Sequence, residues 1–279
     1  MQESQISHTP DTVTILPRDV IFDVHGLLSE NWCGDDAFRT DFCNALSLSF
    51  PRGEKFFVDS VRHFLPQITD SKLHKEALEF VQQEFMHRRE HERYNQDLCK
   101  ARGFNKDDIE SIYAARIRQS NALPPLIRLS ITVCLEHFTA LFANGVMTDA
   151  RWLEGVDPKM QQLWLWHAVE ETEHKAVAYD VFLAVGGKRK MLRTTMRYVL
   201  YRFFMNTFRT MRKMQKAEGR SLAPRTYWYR GIRYLFGRGG ILRVQKKEYL
   251  RFFAEDFHPW EFDNSYLIDT TLQRLSLPV

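Results

Sequence analysis

The sequence lacks the features of an exported or membrane-spanning protein. Its first residues, MQESQISHTPDTV, contain no positively charged segment followed by an apolar run, so we predict no signal peptide. Charged residues interrupt every apolar stretch before the ~18 residues that a membrane-spanning helix needs. The four cysteines, Cys33, Cys43, Cys99 and Cys134, form no CxxC pair, which suits free thiols in a reducing compartment. We therefore expect a cytoplasmic protein.

Internal repeats, low-complexity tracts and alternating βαβ segments are also absent, which argues against solenoids and doubly wound sheets. Apolar residues recur instead with helical periodicity along most of the chain, so we predict the all-α class. Pro51 predicts a break or a kink between the first two helices. The expected helices cover about 36–49, 53–65, 71–101, 107–122, 125–144, 158–185, 190–217 and 244–255.

Three parts of the chain differ in composition. Residues 1–35 mix β-branched residues with Pro17 and Gly26, and we expect short strands or loops there. Residues 36–187 are predicted to form a helical bundle. Residues 188–279 are basic and aromatic, and we expect them to pack on the bundle within the same domain.

Positive charge is concentrated in the third part. Between Lys188 and Lys247 there are eighteen lysines and arginines against one acid, Glu218, so this segment carries +17 and the remainder −13. One interpretation is a packing helix over residues 190–217 whose cations face the acidic remainder. Peripheral contact with an anionic membrane is the alternative. Nucleic-acid binding is disfavoured, because no recognisable binding module accompanies the charge.

One predicted helix carries an unusual density of titratable side chains, in the segment WHAVEETEHK over 166–175. At about 100° per residue, His167, Glu171 and His174 share one face, and Glu170 lies at its edge as the rival of Glu171. Histidines on such a face are often hydrogen-bonded core residues. This helix alone therefore does not predict a metal site.

A second helix repeats the pattern. The segment EFMHRREH places Glu84, His87 and His91 within an arc of about 60°. One Glu-x2-His pair is a weak signal, because Glu and His are both frequent in helices. Two such pairs on separate long helices indicate a shared site, to which other helices would contribute partners.

Two more helices each supply a single inward-facing carboxylate. Glu136 lies in the segment 129–148, which is apolar on nearly every face, and a carboxylate there needs a metal ion, an arginine or a raised pKa. Glu54 shares its helical face with Phe57 and Val61, which turns it inward. The alternative for Glu54 is an exposed first-turn glutamate favoured by the helix dipole.

The order Glu, Glu-x2-His, Glu, Glu-x2-His is the ligand arrangement of ferritin-like dinuclear carboxylate bundles. We therefore expect a ferritin-like four-helix core with additional N-terminal and C-terminal helices. Its oxygen-rich ligands suit two iron ions, with manganese or a mixed pair as alternatives, and zinc fits less well. His91 and Glu170 are either ligands or their outer partners, and His167 is a geometrically allowed seventh ligand. The minimal set of six ligands is Glu54, Glu84, His87, Glu136, Glu171 and His174.

Several segments resemble a bacterial family named predicted metal-dependent hydrolases. They are FPRGEKFF (50–57), EFMHRREH (84–91), LEHFTA (135–140), WHAVEETEHKAVAYD (166–180) and FHPW (257–260). The resemblance implies metal-dependent chemistry and leaves the reaction open. The His-x3-Glu-x2-His helix is also similar to that of dinuclear iron N-oxygenases acting on aryl amines. This second resemblance implies that His167 joins Glu171 and His174 as a ligand.

Three functions fit these residues. The first is a non-haem di-iron oxidase or oxygenase that activates O2 to oxidise or oxygenate a hydrophobic or aromatic small molecule, with an electron donor as a further partner. The second is a metal-dependent hydrolase that uses metal-bound water. The third is a non-catalytic iron-binding protein.

Overall fold

The computed structural model describes residues 6–220 and 224–275, and helices dominate both ranges. The predicted all-α class is confirmed, since the β-pairing of these two ranges is limited to one isolated bridge between Cys33 and Val156. The helices are α1 (Ala37–Arg62), α2 (Ser71–Arg102), α3 (Lys106–Asn121), α4 (Pro125–Thr148), α5 (Pro158–Glu173), α6 (Val177–Ala184), α7 (Arg189–Ala217), α8 (Arg225–Phe236), α9 (Lys246–Arg251) and α10 (Tyr266–Leu275).

Four helical segments build the core. These segments are α1, α2, α4 and the consecutive helices α5 and α6. Helix α1 packs along α2, and helix α4 packs along α5. Contacts of α1 with α4, and of α6 with α2 and α4, join the two pairs. Helix α7 covers α1, α3 and α4 from outside. A ferritin-like arrangement and the division at residues 35 and 187 stay predictions. Residues 1–5, 221–223 and 276–279 of the first and third parts lie outside the described residues.

The N-terminal segment follows an extended path over the bundle. Loops are found over residues 6–36 as predicted, whereas the predicted strands are wrong. The physical reason is that buried carboxylates of the bundle accept backbone N–H groups of this segment, which a strand would have paired with another strand. The amides of Leu16, Arg18 and Phe22 donate in this way to Glu173, Glu170 and Glu90.

The predicted break at Pro51 is wrong, because α1 runs continuously from Ala37 to Arg62. Pro51 has no amide hydrogen to donate to the carbonyl of Ser47 one turn earlier. The side-chain amide of Asn95 on α2 donates to that carbonyl over 2.9 Å instead. The Ser47 hydroxyl in turn donates to Oδ1 of Asn95 over 2.8 Å, so α1 and α2 are bonded where the helical hydrogen bond is missing.

Other helix boundaries also differ from the prediction. Helix α4 continues through Gly145 to Thr148, so this glycine does not end the helix. It is needed for packing instead, since a Cβ there would lie 2.8 Å from Nε1 of Trp152. The predicted last helix over 244–255 is shortened to α9. Helices α8 and α10 were not predicted, although both have one strongly apolar face.

Two helices bear on membrane contact. Helix α4 is long and apolar enough to cross a membrane by length and composition, but 61% of its most apolar window is buried within the protein, as in a core helix. Helix α7 exposes Tyr198 and Tyr201 beside its cations. Membrane contact through residues 190–217 stays a prediction.

The Asn95 contact is expected to stabilise the fold. Replacing Asn95 by leucine should lower the free energy of unfolding by about 1–3 kcal/mol, because the Ser47 carbonyl is left without a donor. The additional change Pro51→Ala restores an amide hydrogen at position 51 and should recover part of this loss. Chemical denaturation of the wild type, both single variants and the double variant measures the coupling. Strictly additive effects would contradict this account of the Pro51 position.

Candidate metal centre

The seven predicted ligands lie together in the bundle interior, and none is more than 5% exposed. Helices α1, α2 and α4 supply Glu54, Glu84, His87 and Glu136, and α5 with the residue that follows it supplies His167, Glu171 and His174. Six of their donor atoms form two groups of three, and the atoms within each group lie within 4.8 Å of one another. The groups are Glu54, His87 and His167, and Glu84, Glu171 and His174.

Glu171 stands between the two groups. Its Oε1 lies 2.9 Å from Nε2 of His167 and 3.7 Å from Nδ1 of His87. Its Oε2 lies 3.6 Å from Nε2 of His174, and Oε2 of Glu136 approaches the same nitrogen at 3.3 Å. The two oxygens of Glu171 thus face different donor groups, as in a carboxylate that bridges two ions.

Many atoms of this cluster have no hydrogen-bond partner. Both carboxylate oxygens of Glu54, Glu84 and Glu136 are buried without one, and so is Nε2 of His174. Unpaired buried carboxylates cost several kcal/mol each unless a cation compensates them. Oxygen and imidazole donors without thiolates fit divalent iron or manganese, so the residues present fit the metal that the sequence predicts.

Protons supply part of the positive charge when no metal is bound. Burial, with the neighbouring carboxylates, raises the pKa of Glu54 and Glu84 well above the ordinary value, and burial raises the pKa of Glu136 to about 7. Burial lowers the pKa of His174, but the carboxylates of Glu136 and Glu171 close to its Nε2 outweigh burial and raise the pKa to about 10. Metal binding would displace these protons.

Gln83 orients His174. Oε1 of Gln83 is a carbonyl oxygen 2.8 Å from Nδ1 of His174, so Nδ1 donates and Nε2 is the nitrogen that faces the carboxylates. The predicted single helix over 158–185 is wrong at this residue, since α5 ends at Glu173 and α6 begins at Val177. The break lets the His174 ring reach Gln83 while Nε2 stays 3.4 Å from Glu84.

Hydrogen-bond direction also orients His167. Because Ser47 gives its only hydroxyl hydrogen to Asn95, its oxygen must accept from Nδ1 of His91 at 2.9 Å. Burial lowers the pKa of His91 well below its ordinary value, so its Nε2 accepts from Nδ1 of His167 at 2.7 Å. Nε2 of His167 is then the ring nitrogen that faces the cluster, with Oε1 of Glu171 at 2.9 Å.

His91 and Glu170, whose roles the sequence left open, lie behind predicted ligands. His91 contacts His167 as described, and Oε2 of Glu170 lies 3.1 Å from Nε2 of His87. Oε1 of Glu170 accepts hydrogen bonds from the Trp166 indole and from the backbone of Arg18. Both residues therefore lie just outside the predicted ligands, where outer partners of a metal site are usually found.

A third group of metal-binding residue types has a structural explanation. Nδ1 of His258 accepts the amide hydrogen of Trp260 at 3.1 Å, so Nε2 carries the ring proton of the neutral imidazole. That nitrogen donates to Asp180 at 2.9 Å, and the backbone of His8 donates to the other Asp180 oxygen. Asp180 is thus satisfied without a metal, and the FHPW segment ties the N-terminal segment to α6.

Comparison with known proteins identifies the family. Neither a curated protein nor a solved structure matches this chain. A family model described as predicted metal-dependent hydrolase matches residues 16–263, a range that holds all seven predicted ligands and their outer partners. Since the match covers most of the sequence, the chain belongs to the predicted metal-dependent hydrolase family.

Proposed function

We propose that this chain is a dinuclear metal-dependent enzyme that hydrolyses an apolar small-molecule substrate. The observation that carries the proposal is the pair of buried donor groups linked by Glu171, with unpartnered carboxylates on both sides. The family assignment favours hydrolysis as the reaction. The proposed ligands are Glu54, Glu84, His87, Glu136, His167, Glu171 and His174.

The surrounding residues prepare the ligands for metal. When bound, divalent ions supply Lewis acidity and lower the pKa of coordinated water. Hydrogen bonds to His91 and Gln83 orient the His167 and His174 imidazoles, and Glu170 lies 3.1 Å from Nε2 of His87. Such outer partners fix ring orientation and raise ligand basicity.

Apolar cavities reach the cluster from one side. The larger is lined by Phe50, Phe57 and Phe138 and by the proposed ligand Glu54. A smaller one shares Phe50 with it and is lined also by His167 and Glu171. An aromatic wall of this kind binds the apolar part of a substrate and limits the water that reaches the ligands.

Oxidation by O2 is the second candidate, and the donor set favours it. Four carboxylates and three histidines without a thiolate form the oxygen-rich set that suits iron or manganese. The proposed ligands come from separate helical segments, in the order of ferritin-like di-iron bundles. In this reading the ions are iron, and O2 and an electron donor are partners. Non-catalytic iron binding is a third function that the same donor set supports.

Reconstitution separates these candidates. The purified protein should bind close to two divalent ions per chain, and the loaded enzyme should hydrolyse a member of a panel of apolar esters and amides without O2. The checks are elemental analysis and anaerobic product detection. O2 consumption by the Fe(II)-loaded protein with no hydrolysis would favour the oxidase, and absence of stoichiometric metal would refute the metal centre.

Substitution of Glu54 should move metal affinity and stability in opposite directions. Glu54→Gln removes a buried carboxylate without a partner, so the metal-free protein at pH 8 should be more stable by about 1 kcal/mol. The same change removes a proposed ligand and should weaken metal binding at least tenfold. Thermal unfolding with and without Mn(II) measures both effects.

Glu110 is the matched control for Glu54. It is equally buried, but it pairs with Arg52 at 3.1 Å and with Lys106 at 3.0 Å. Glu110→Gln should therefore destabilise the protein by about 1 kcal/mol, because Arg52 loses its counter-charge and Lys106 keeps only Glu92, and should leave metal affinity unchanged. A Glu54→Gln variant that behaves like Glu110→Gln would count against ligation by Glu54.

Gln83 is expected to support ligation by His174. Gln83→Leu removes the acceptor that holds Nδ1 and should weaken metal binding by about 10–100-fold, the usual effect of losing an outer partner. Gln96→Leu, on the exposed face of the same helix, should have no such effect. Titration with Mn(II), followed by electron paramagnetic resonance, gives both affinities. Equal affinities in the two variants would show that Gln83 does not orient the ligand.

A further inference from the structure

The larger cavity combines an apolar wall with two arginines. It encloses about 900 Å³, part of which opens to solvent, between α1, α3, α4 and α7. Its charged lining residues are Glu54, Arg116 and Arg202. The rest of the lining is largely aromatic and aliphatic. Two guanidinium groups in such a wall are unusual, because each needs an acceptor that the apolar side chains do not provide.

Arg202 has no acceptor within the described part of the protein. Its side chain is half-buried, its Nε is buried without a hydrogen-bond partner, and no carboxylate forms an ion pair with it. One turn later on α7, Asn206 lines the same cavity, is 5% exposed, and leaves its Oδ1 unpartnered. Among residues 6–220 and 224–275, Nε of Arg202 and Oδ1 of Asn206 therefore form a polar patch without hydrogen-bond partners.

Arg116 adds a second cation on α3. Its guanidinium donates to the Tyr198 hydroxyl over 3.0 Å and stacks on that ring at 5.0 Å. These contacts hold the side chain in place without neutralising its charge. Two guanidinium groups in the lining of one cavity favour an anion, and a carboxylate matches the planar donor fork of arginine.

We propose that the cavity binds an amphipathic organic carboxylate, with its carboxylate on Arg202 and Arg116 and its apolar body directed toward Glu54. The inference rests on the proposed function, since it names the substrate class of that metal site. The excess of cations between Lys188 and Lys247 gives the surface around α7 a positive potential that attracts such anions.

Binding of simple carboxylates to the metal-free protein tests the charge requirement. Octanoate and benzoate are compared by calorimetry with octanamide and benzamide, which have the same shape without the charge. At least one carboxylate should bind ten times more tightly than its amide, and the better of the two identifies an aliphatic or an aromatic body. Equal affinity of acid and amide in both pairs would overturn the proposal.

Arg202→Leu tests the position of the anion. This variant should lose the preference for the carboxylate, about a tenfold loss or more, while amide binding stays unchanged. It should fold with no loss of thermal stability, because Arg202 makes no polar contact with the part of the chain that the structure describes. Arg209→Leu, at an exposed position of the same helix, is the matched control and should keep the preference. Loss of preference in the control alone, or in neither variant, would refute the assignment.

Proximity to the metal centre is tested separately. In protein loaded with Mn(II), proton resonances of the bound carboxylate at the end remote from its charge should broaden most. Broadening greatest next to the carboxylate would overturn the proposed orientation, because the anion would then bind at the metal. If Mn(II) does not bind at all, the proposed metal centre fails, whereas the preference for acid over amide still reports on the cavity.

Discussion

Buried carboxylates that lack partners are the constraint on which the rest of this structure depends. Glu54, Glu84 and Glu136 come from three different helices and meet where no arginine or lysine reaches them. Such a cluster is unfavourable by several kcal/mol without a cation, so the surrounding packing must hold it in place. The buried aromatic core provides that packing, since burial of a single large apolar side chain contributes about 1.5–3 kcal/mol. The fold thus assembles the donor cluster by itself, without needing an ion to bring the residues together.

A series of hydrogen bonds connects the donor cluster to residues of α1 and α2 outside it. The missing amide hydrogen of Pro51 draws Asn95 to the carbonyl of Ser47, and the orientation of that amide fixes the hydroxyl of Ser47. The hydroxyl fixes His91, which accepts from Nδ1 of His167 and leaves Nε2 of His167 facing Glu171. A proline that would ordinarily weaken a helix thus helps to orient a proposed ligand 116 positions later in the chain.

The sequence predicted the inner residues of the site better than the outer ones. Glu136 stands out because it is a carboxylate in an apolar helix, and His87 and His174 follow from helical spacing. Gln83 and Ser47 carry no comparable signal, because a glutamine or serine in a helix is ordinary and its role depends on a neighbour distant in sequence. The predicted break at Pro51 and the predicted continuous helix through His174 were wrong at places where a side chain of α2 forms a hydrogen bond. Asn95 bonds the Ser47 carbonyl that Pro51 leaves free, and Gln83 bonds the His174 ring where α5 ends.

The donor cluster has different surroundings on its two sides. Behind His87, Arg18 pairs with Glu173 at 2.6 Å and with Glu170 at 3.4 Å. Between α1 and α4, both cavities share Phe50 and are lined by proposed ligands, Glu54 in one and His167 with Glu171 in the other. Whichever reaction the proposed centre carries out, substitutions at Phe50 should therefore affect turnover, whereas substitutions at Arg18 should affect metal retention and stability.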